Sequence, residues 1–457
     1  MNFLFIWLIL GVVAGLFIIL ALLVRPGWIL PVFLLYIWLI AGRADRGDLL
    51  ESYPIVRWGS YLLIPIFGVL VAFRVFNRRT WRKGLIESFV ALLAGIMFLS
   101  ATINHTGLTA FAESIGVYLR YPLFFLFLVN LNLLVIGYKR ALRWFLAIFF
   151  LVGLEAILNF VLLGKKSDGT FFTLGVTYGT ITGGGILLYG SCFVIAHALV
   201  RGIQWYHLVF IVMALVASII ATVRSNLFGI PVSLFLLLLF NLISRYRHGS
   251  HMLQGFSIAF LVLIVIAVLL PWQDLVLGIS ALKYINPSYR FESIQQVFRI
   301  LASYNSLLFG FGPRSFSPGT IGQPGQMIKL LIELRGDYYA RVVNMNQFVN
   351  GLSELGLAGF VVYWTMMLLI MRMNLSFLST TRRVVAGITT DEQVWWSVVS
   401  LAFIGIWFYY AGWGLLVYDL WRMDMSSLVF WVCAAAIYSE NHRRSILQTN
   451  KPISDRR

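Results

Sequence analysis

Two arginines stand where apolar sequence gives way to polar sequence. Arg224 closes the apolar run 210–223 and is followed at once by Ser225, Asn226 and a new apolar run. Arg290 leads the segment Arg290-Phe291-Glu292-Ser293-Ile294-Gln295-Gln296-Val297-Phe298-Arg299, and apolar residues at 291, 294, 297, 298 and 301 recur at helical spacing. A guanidinium presents a rigid fork of donors that matches phosphate oxygens in pairs, and its charge does not titrate away. The chemistry these two positions suit is holding a diphosphate. Against it stand plainer readings: Arg224 snorkelling to headgroups, and 290–299 as an interfacial amphipathic helix with solvated charges.

Further candidates surround them. Arg120 lies in Tyr118-Leu119-Arg120-Tyr121-Pro122, and Glu155 and Asn159 fall in the next apolar run, so Arg120 either pairs with Glu155 or meets substrate. Glu113 and His105 are alternative partners. Arg299, Arg314 and Arg341 flank the turn Gly310-Phe311-Gly312-Pro313-Arg314, where Gly310 and Gly312 resemble a phosphate cradle or form an ordinary tight turn. Asn346, in Asn344-Met345-Asn346-Gln347, precedes Glu354-Leu355-Gly356-Leu357-Ala358-Gly359. Glu354, Asp337 and Glu333 are the carboxylates available as a general base, or are solvated. No His, Cys and carboxylate set has metal-ligand spacing, and there is no paired-Asp motif, P-loop or serine with a histidine partner. Neither a metal nor a cofactor is expected.

The elements that must position these residues follow from composition. Of 457 residues 60% are hydrophobic and 12% charged, about half the usual share of roughly 25% in a soluble domain. A soluble core cannot absorb that surface, and a bilayer can, which predicts an all-α, polytopic transmembrane protein of about 12–14 spans. Apolar runs fall at 3–24, 58–76, 85–103, 115–137, 144–163, 179–199, 226–243, 253–271, 352–371 and 394–412, with less regular ones at 28–41, 207–223 and 425–439. The first run lacks a preceding basic residue, so it reads as a retained span and not a cleaved signal. Cys192 and Cys433 sit inside apolar runs and suggest no disulfide. The chain is one integral-membrane domain, 1–457, with one large loop, 272–347, between late spans.

The net charge of +17 would suggest nucleic acid in a soluble protein. Here the basic residues sit in short loops, at 78–83, 138–143, 244–247 and 443–444, and the positive-inside rule places these in the cytoplasm. Arg201 and Arg382-Arg383 then share that side and the large loop is external. No nucleic-acid partner is expected.

The order of these features resembles the O-antigen polymerase/ligase family of bacterial surface-polysaccharide enzymes. The resemblance rests on a span ending in Arg224-Ser225, an outer loop with an Arg-led helix, the Gly310-x-Gly312 turn, and Asn346 spaced ahead of Glu354-x-Gly356-x-x-Gly359. It covers the whole chain in outline and residues 218–360 specifically. It implies a GT-C type architecture in the bacterial cytoplasmic (inner) membrane, working at the external face on undecaprenyl-diphosphate-linked oligosaccharide without a metal. Arg224, Arg290 and Glu354 would be catalytic; Arg120, Arg299, Gly310, Gly312, Arg314, Arg341 and Asn346 would bind substrate. Besides the lipid bilayer, a chain-length regulator and a flippase of the same pathway are the implied partners. The ligase branch has His directly before the Asn of the closing motif, and here that position is Met345, which favours polymerisation. Transfer of a finished glycan to another acceptor is the alternative, as are a peptidoglycan polymerase and a lipid-linked glycan transporter. No internal repeat of the kind transporters favour is visible.

Overall fold

The computed structural model describes residues 28, 30–31, 84–131, 135–163, 180–220, 224–243, 287–313, 315, 329–330, 333, 347–384, 391–413 and 425–449. The runs 3–24, 58–76 and 253–271, and Arg314, Arg341 and Asn346, lie outside these residues. Every regular element described is helical. In chain order they are α1 (Leu85–Ile103), α2 (Leu108–Ser114), a π-helical turn (Ile115–Leu119), α3 (Arg120–Leu131), α4 (Val135–Leu163), α5 (Thr180–Arg201), α6 (Trp205–Ile220), α7 (Arg224–Ile243), α8 (Pro287–Ser303), α9 (Gln347–Val384), α10 (Asp391–Trp407), a second π-helical turn (Phe408–Trp413) and α11 (Met425–Thr449).

Among the described residues four stretches are long and apolar enough to cross a membrane: Leu85–Ile103, Gly137–Leu158, Asn350–Ser379 and Asp391–Tyr410. Their outward faces carry large apolar side chains, such as Leu92, Phe98, Leu151, Leu158, Val361 and Leu368, all exposed. Water would penalise such a surface and hydrocarbon does not. These faces define the molecule as a helical membrane protein.

The helices meet through close packing and a few internal polar clasps, as helices in lipid must, since tails are as apolar as Leu. α5 packs on α10, α7 and α6; α9 packs on α1 and α10; α11 packs on α3. Phe125 of α3 sets its ring edge-on against Trp431 and Tyr438 of α11, at 5.9 and 5.6 Å between centroids. Between α9 and α10, Ser400 Oγ donates to Asn374 Oδ1 (2.6 Å), and Asn374 Nδ2 donates to the Ser400 carbonyl (3.0 Å). A closed polar pair of this kind fixes the register of two apolar helices at little desolvation cost.

Contacts between helix ends define two ends of the bundle. At one, Arg201 pairs with Asp391, Arg443 with Glu392, Arg444 Nη1 donates to Thr381 Oγ1, and the Lys139 ammonium sits 5.5 Å from the Trp395 ring centre. This basic end gathers residues 138–143, Arg201 and 443–444, which sequence placed on one side. One detail differs. Residues 138–143 were expected in a short loop, and they form the first turns of α4. Lys and Arg are good helix formers whose long stems carry the charge to the helix end. The apolar run 115–137 is likewise divided, since α3 ends at Leu131 and α4 opens at Val135.

Candidate functional site

The other end of the bundle, the loop end, is built where two chain segments exchange backbone hydrogen bonds. In an unbroken helix the amides of Leu357 and Ala358 would donate to the carbonyls of Ser353 and Glu354. They donate instead to the carbonyls of Leu307 and Leu308, at 3.0 and 3.1 Å. The Ser353 carbonyl so released accepts from the Phe311 amide (2.8 Å), and that of Glu354 lies 3.1 Å from Ser100 Oγ, whose single proton it shares with the Phe309 carbonyl. α9 breaks here because Gly356 adopts φ 65°, ψ −169°. The Leu357 and Ala358 amides and the Ser353 carbonyl all find partners across the break, which suits a break inside a membrane-spanning helix.

The partner segment is the turn that follows α8. Val297 and Leu301 of α8 are buried, and the chain turns through Ser306 to Gly312, with Gly310 at φ 68° and Gly312 at φ 91°. α1 supports this turn from below: Ser100 Oγ donates to the Phe309 carbonyl (2.6 Å), and Asn104 Nδ2 reaches the Gly310 carbonyl (3.3 Å). A Cβ on Gly310 would lie 2.6 Å from the Ser353 carbonyl oxygen; one on Gly356 would lie 2.3 Å from that of Leu308. The Gly-x-Gly turn and the Glu-x-Gly break, 44 residues apart by numbering (356 − 312), are two halves of one contact.

Glu354 is fully buried in this contact, and its Oε2 accepts a 2.6 Å hydrogen bond from the Tyr118 hydroxyl. Tyr118 belongs to the π-helical turn, and Arg120, 9% exposed, opens α3 directly after it. A buried carboxylate requires such donors. Ser353 Oγ and Ser315 Oγ are buried with no hydrogen-bond partner among the described residues, so this end carries polar atoms beyond those needed for its own described packing.

The expected site residues fall as follows. Glu354, Gly310, Gly312 and Arg120 lie at the loop end. Arg224 opens α7, and Gly229, a turn further on, meets Leu188 and Tyr409 near the ends of α5 and α10 away from the basic end. Arg290 lies in the first turn of α8; only the backbone of these two arginines is described. Arg299 is exposed on the same helix. The amides of Gly310 and Phe311 already donate to Ser306 and Ser353 carbonyls, so those two donors belong to the fold. Sequence reasoning missed Ser100, Asn104 and Tyr118. Ser100 and Asn104 sit four apart, on one face of an apolar helix, which was the available signal. Tyr118 offered none beyond its closeness to Arg120.

Among the described residues no group of three His, Cys, Asp or Glu could hold a metal ion. No protein-family model and no curated protein matches the chain.

Proposed function

We infer that this protein is a membrane-embedded glycosyltransferase that polymerises undecaprenyl-diphosphate-linked oligosaccharide repeat units into a surface polysaccharide. The observation that carries this reading is the joining of the Gly310 turn to the Glu354-Leu355-Gly356 break. Two of the segments on which the family resemblance rests, the Gly310-x-Gly312 turn and the Glu354-x-Gly356 break, are thus in direct contact. Arg224, which opens α7, and Arg290, in the first turn of the helix feeding the turn, are the cations this reading assigns to the diphosphate.

In the reaction a sugar hydroxyl of one repeat unit attacks the anomeric carbon of another. The bond from that carbon to the diphosphate oxygen breaks, lipid diphosphate leaves with the electron pair, and the hydroxyl proton passes to water at the outer face. Diphosphate is a stable anion, so cationic donors that neutralise it supply much of the catalysis. Arg224 and Arg290 take that role, with Arg120, Arg299, Arg314, Arg341 and Asn346 along the substrate. Glu354, buried and held by Tyr118, acts as a positioning group for the break in α9. The site faces outward from the bacterial inner membrane in a GT-C type bundle.

The test uses the purified full chain and a synthetic undecaprenyl-diphosphate oligosaccharide, with no divalent metal and with EDTA present. Lipid-linked polymer is the expected product. Transfer only to an added non-repeat acceptor would identify the ligase activity instead, and no transfer of any kind would remove the enzymatic reading.

A further inference from the structure

A cavity of about 580 Å³ opens at the basic end, between α4, α5, α6 and α10. Its rim carries Lys139, Arg143, Arg201 and Asp391, and its floor is aromatic and aliphatic, with Phe149, Phe193 and Phe210. The rim residues share one level. Lys139 and Arg143 stand in the first two turns of the span that begins at Gly137; Asp391 begins another span, and Arg201 ends the apolar helix Gly185–Arg201. Span ends lie at the depth of lipid headgroups, and the floor lies further along the same helices, at the depth of the tails.

Two histidines line the same cavity, and their hydrogen bonds fix their protonation. The Gln204 amide donates to His207 Nδ1 at 2.9 Å, so that nitrogen carries a lone pair. The proton of His207 is then on Nε2, 2.8 Å from His197 Nδ1, and it is donated there. His197 in turn bears its proton on Nε2. With both bonds in place both rings are neutral, and among the described residues the fixed charge of the rim is three cations against the one carboxylate of Asp391. Asp391 pairs with Arg201, which leaves Lys139 and Arg143 as the cations not matched within the rim.

We propose that this cavity binds an anionic amphiphile, a phosphate head at the Lys139–Arg143 rim with its apolar chain on the Phe149–Phe193–Phe210 floor. A free phosphate would leave the floor unfilled, and a neutral lipid would leave the rim unmatched. Basic pockets between membrane helices suit such headgroups, and Trp395, beside Lys139, is the residue type that sits at headgroup depth. The site is at the opposite end from the one described above and does not depend on the glycosyltransferase reading.

The experiment titrates the full chain in maltoside micelles with four probes: dioleoylphosphatidylglycerol, dodecyl phosphate, dioleoylphosphatidylcholine and inorganic phosphate. Retention is read by native mass spectrometry and by the unfolding midpoint. The first two probes should be retained and should raise the midpoint; the stronger of them tells whether the natural head is a phosphodiester or a monoester. Arg143 is exposed, so Arg143→Gln leaves packing intact and should weaken retention about fivefold; Lys139→Gln with Arg143→Gln should reach roughly thirtyfold. Leu146→Trp adds an indole to the cavity lining with the charges unchanged and should also weaken retention. Arg140→Gln removes the same charge one residue away, from a side chain that stacks on Trp28, and should change nothing. Phosphatidylcholine retained as tightly as phosphatidylglycerol, inorganic phosphate displacing the lipid, or undiminished retention by the double variant would each overturn the proposal.

Discussion

Gly310 and Gly356 lie backbone against backbone, each in the left-handed region and each placed where a side chain would strike the other's segment. The contact is the point at which α9 gives up its own hydrogen bonds and takes those of the 307–311 turn. It joins the turn after α8 to a membrane-spanning helix through backbone hydrogen bonds, braced by the Ser100 and Asn104 side chains of α1.

Gly356→Ala should therefore be costly. Gly356 sits at φ 65°, ψ −169°, a region occupied almost only by glycine that costs other residues about 1–3 kcal/mol, and the Cβ would in addition lie 2.3 Å from the Leu308 carbonyl oxygen. The loss should exceed ~2 kcal/mol, read as a lowered unfolding midpoint in detergent. Gly310→Ala should behave likewise. Gly107, whose Cβ would meet nothing within 4 Å, is the control. A Gly356→Ala protein as stable as the Gly107→Ala control would disprove the contact.

Tyr118→Phe removes the donor that Glu354 Oε2 accepts from, inside a fully buried site. A hydrogen bond to a charged group is worth about 1.5–3 kcal/mol, and the variant should lose stability in that range. Glu354→Gln keeps an acceptor for the Tyr118 hydroxyl, so that hydrogen bond should survive in it. Equal midpoints for wild type and Tyr118→Phe would show that the bond carries no weight. Activity measured on folded Glu354→Gln separates positioning from base catalysis, because only a base role requires the carboxylate.

The helices were legible because apolar runs of spanning length have few alternatives: 85–103 is α1, 179–199 falls on Thr180–Arg201, and 394–412 on α10 with its π-helical turn. The helix expected at 290–299 is present and longer, Pro287–Ser303. Of the candidate site, the glycines and Glu354 were visible as a pattern, but what they do was not. A Gly-x-Gly turn has the same sequence whether its amides cradle a phosphate or dock on a broken helix. The choice depends on Ser353 and Leu357, tens of residues away. The cavity at the basic end was invisible for a related reason. His197 and His207 stand ten residues apart on two helices, and only the α5–α6 turn brings them to hydrogen-bond distance.

The shared location of Arg143, Arg201 and the α9–α10 connection at one end predicts a topology result. Reporter fusions after Arg143, after Gln204 and after Val384 should all read the same side, and by the positive-inside rule that side is the cytoplasm. A fusion within 314–335 should read the opposite side. Fusions after Arg143 and Gln204 that read opposite sides would contradict the packing of α5 against α10, and with it the cavity between them.

The diphosphate clamp is tested at Arg224 and Arg290. Arg224→Lys keeps the charge and loses the paired donors, so it should damage polymerisation nearly as much as Arg224→Ala. Losing one charge-assisted contact to the leaving group removes about 2–4 kcal/mol of transition-state stabilisation, roughly 30- to 1000-fold in rate. Arg290→Ala should fall in the same range. The double variant should lose less than the sum, since two residues on one ligand are coupled. Arg335→Ala, in the same loop but outside the motif, serves as the control and should retain near-normal rates. All variants are compared at matched amounts of inserted, folded protein, so that stability losses of the kind argued for Gly356 do not pass for catalytic ones. Normal polymer from well-inserted Arg224→Ala would remove the clamp and leave Arg120, Arg314 and Arg341 as the cations to test.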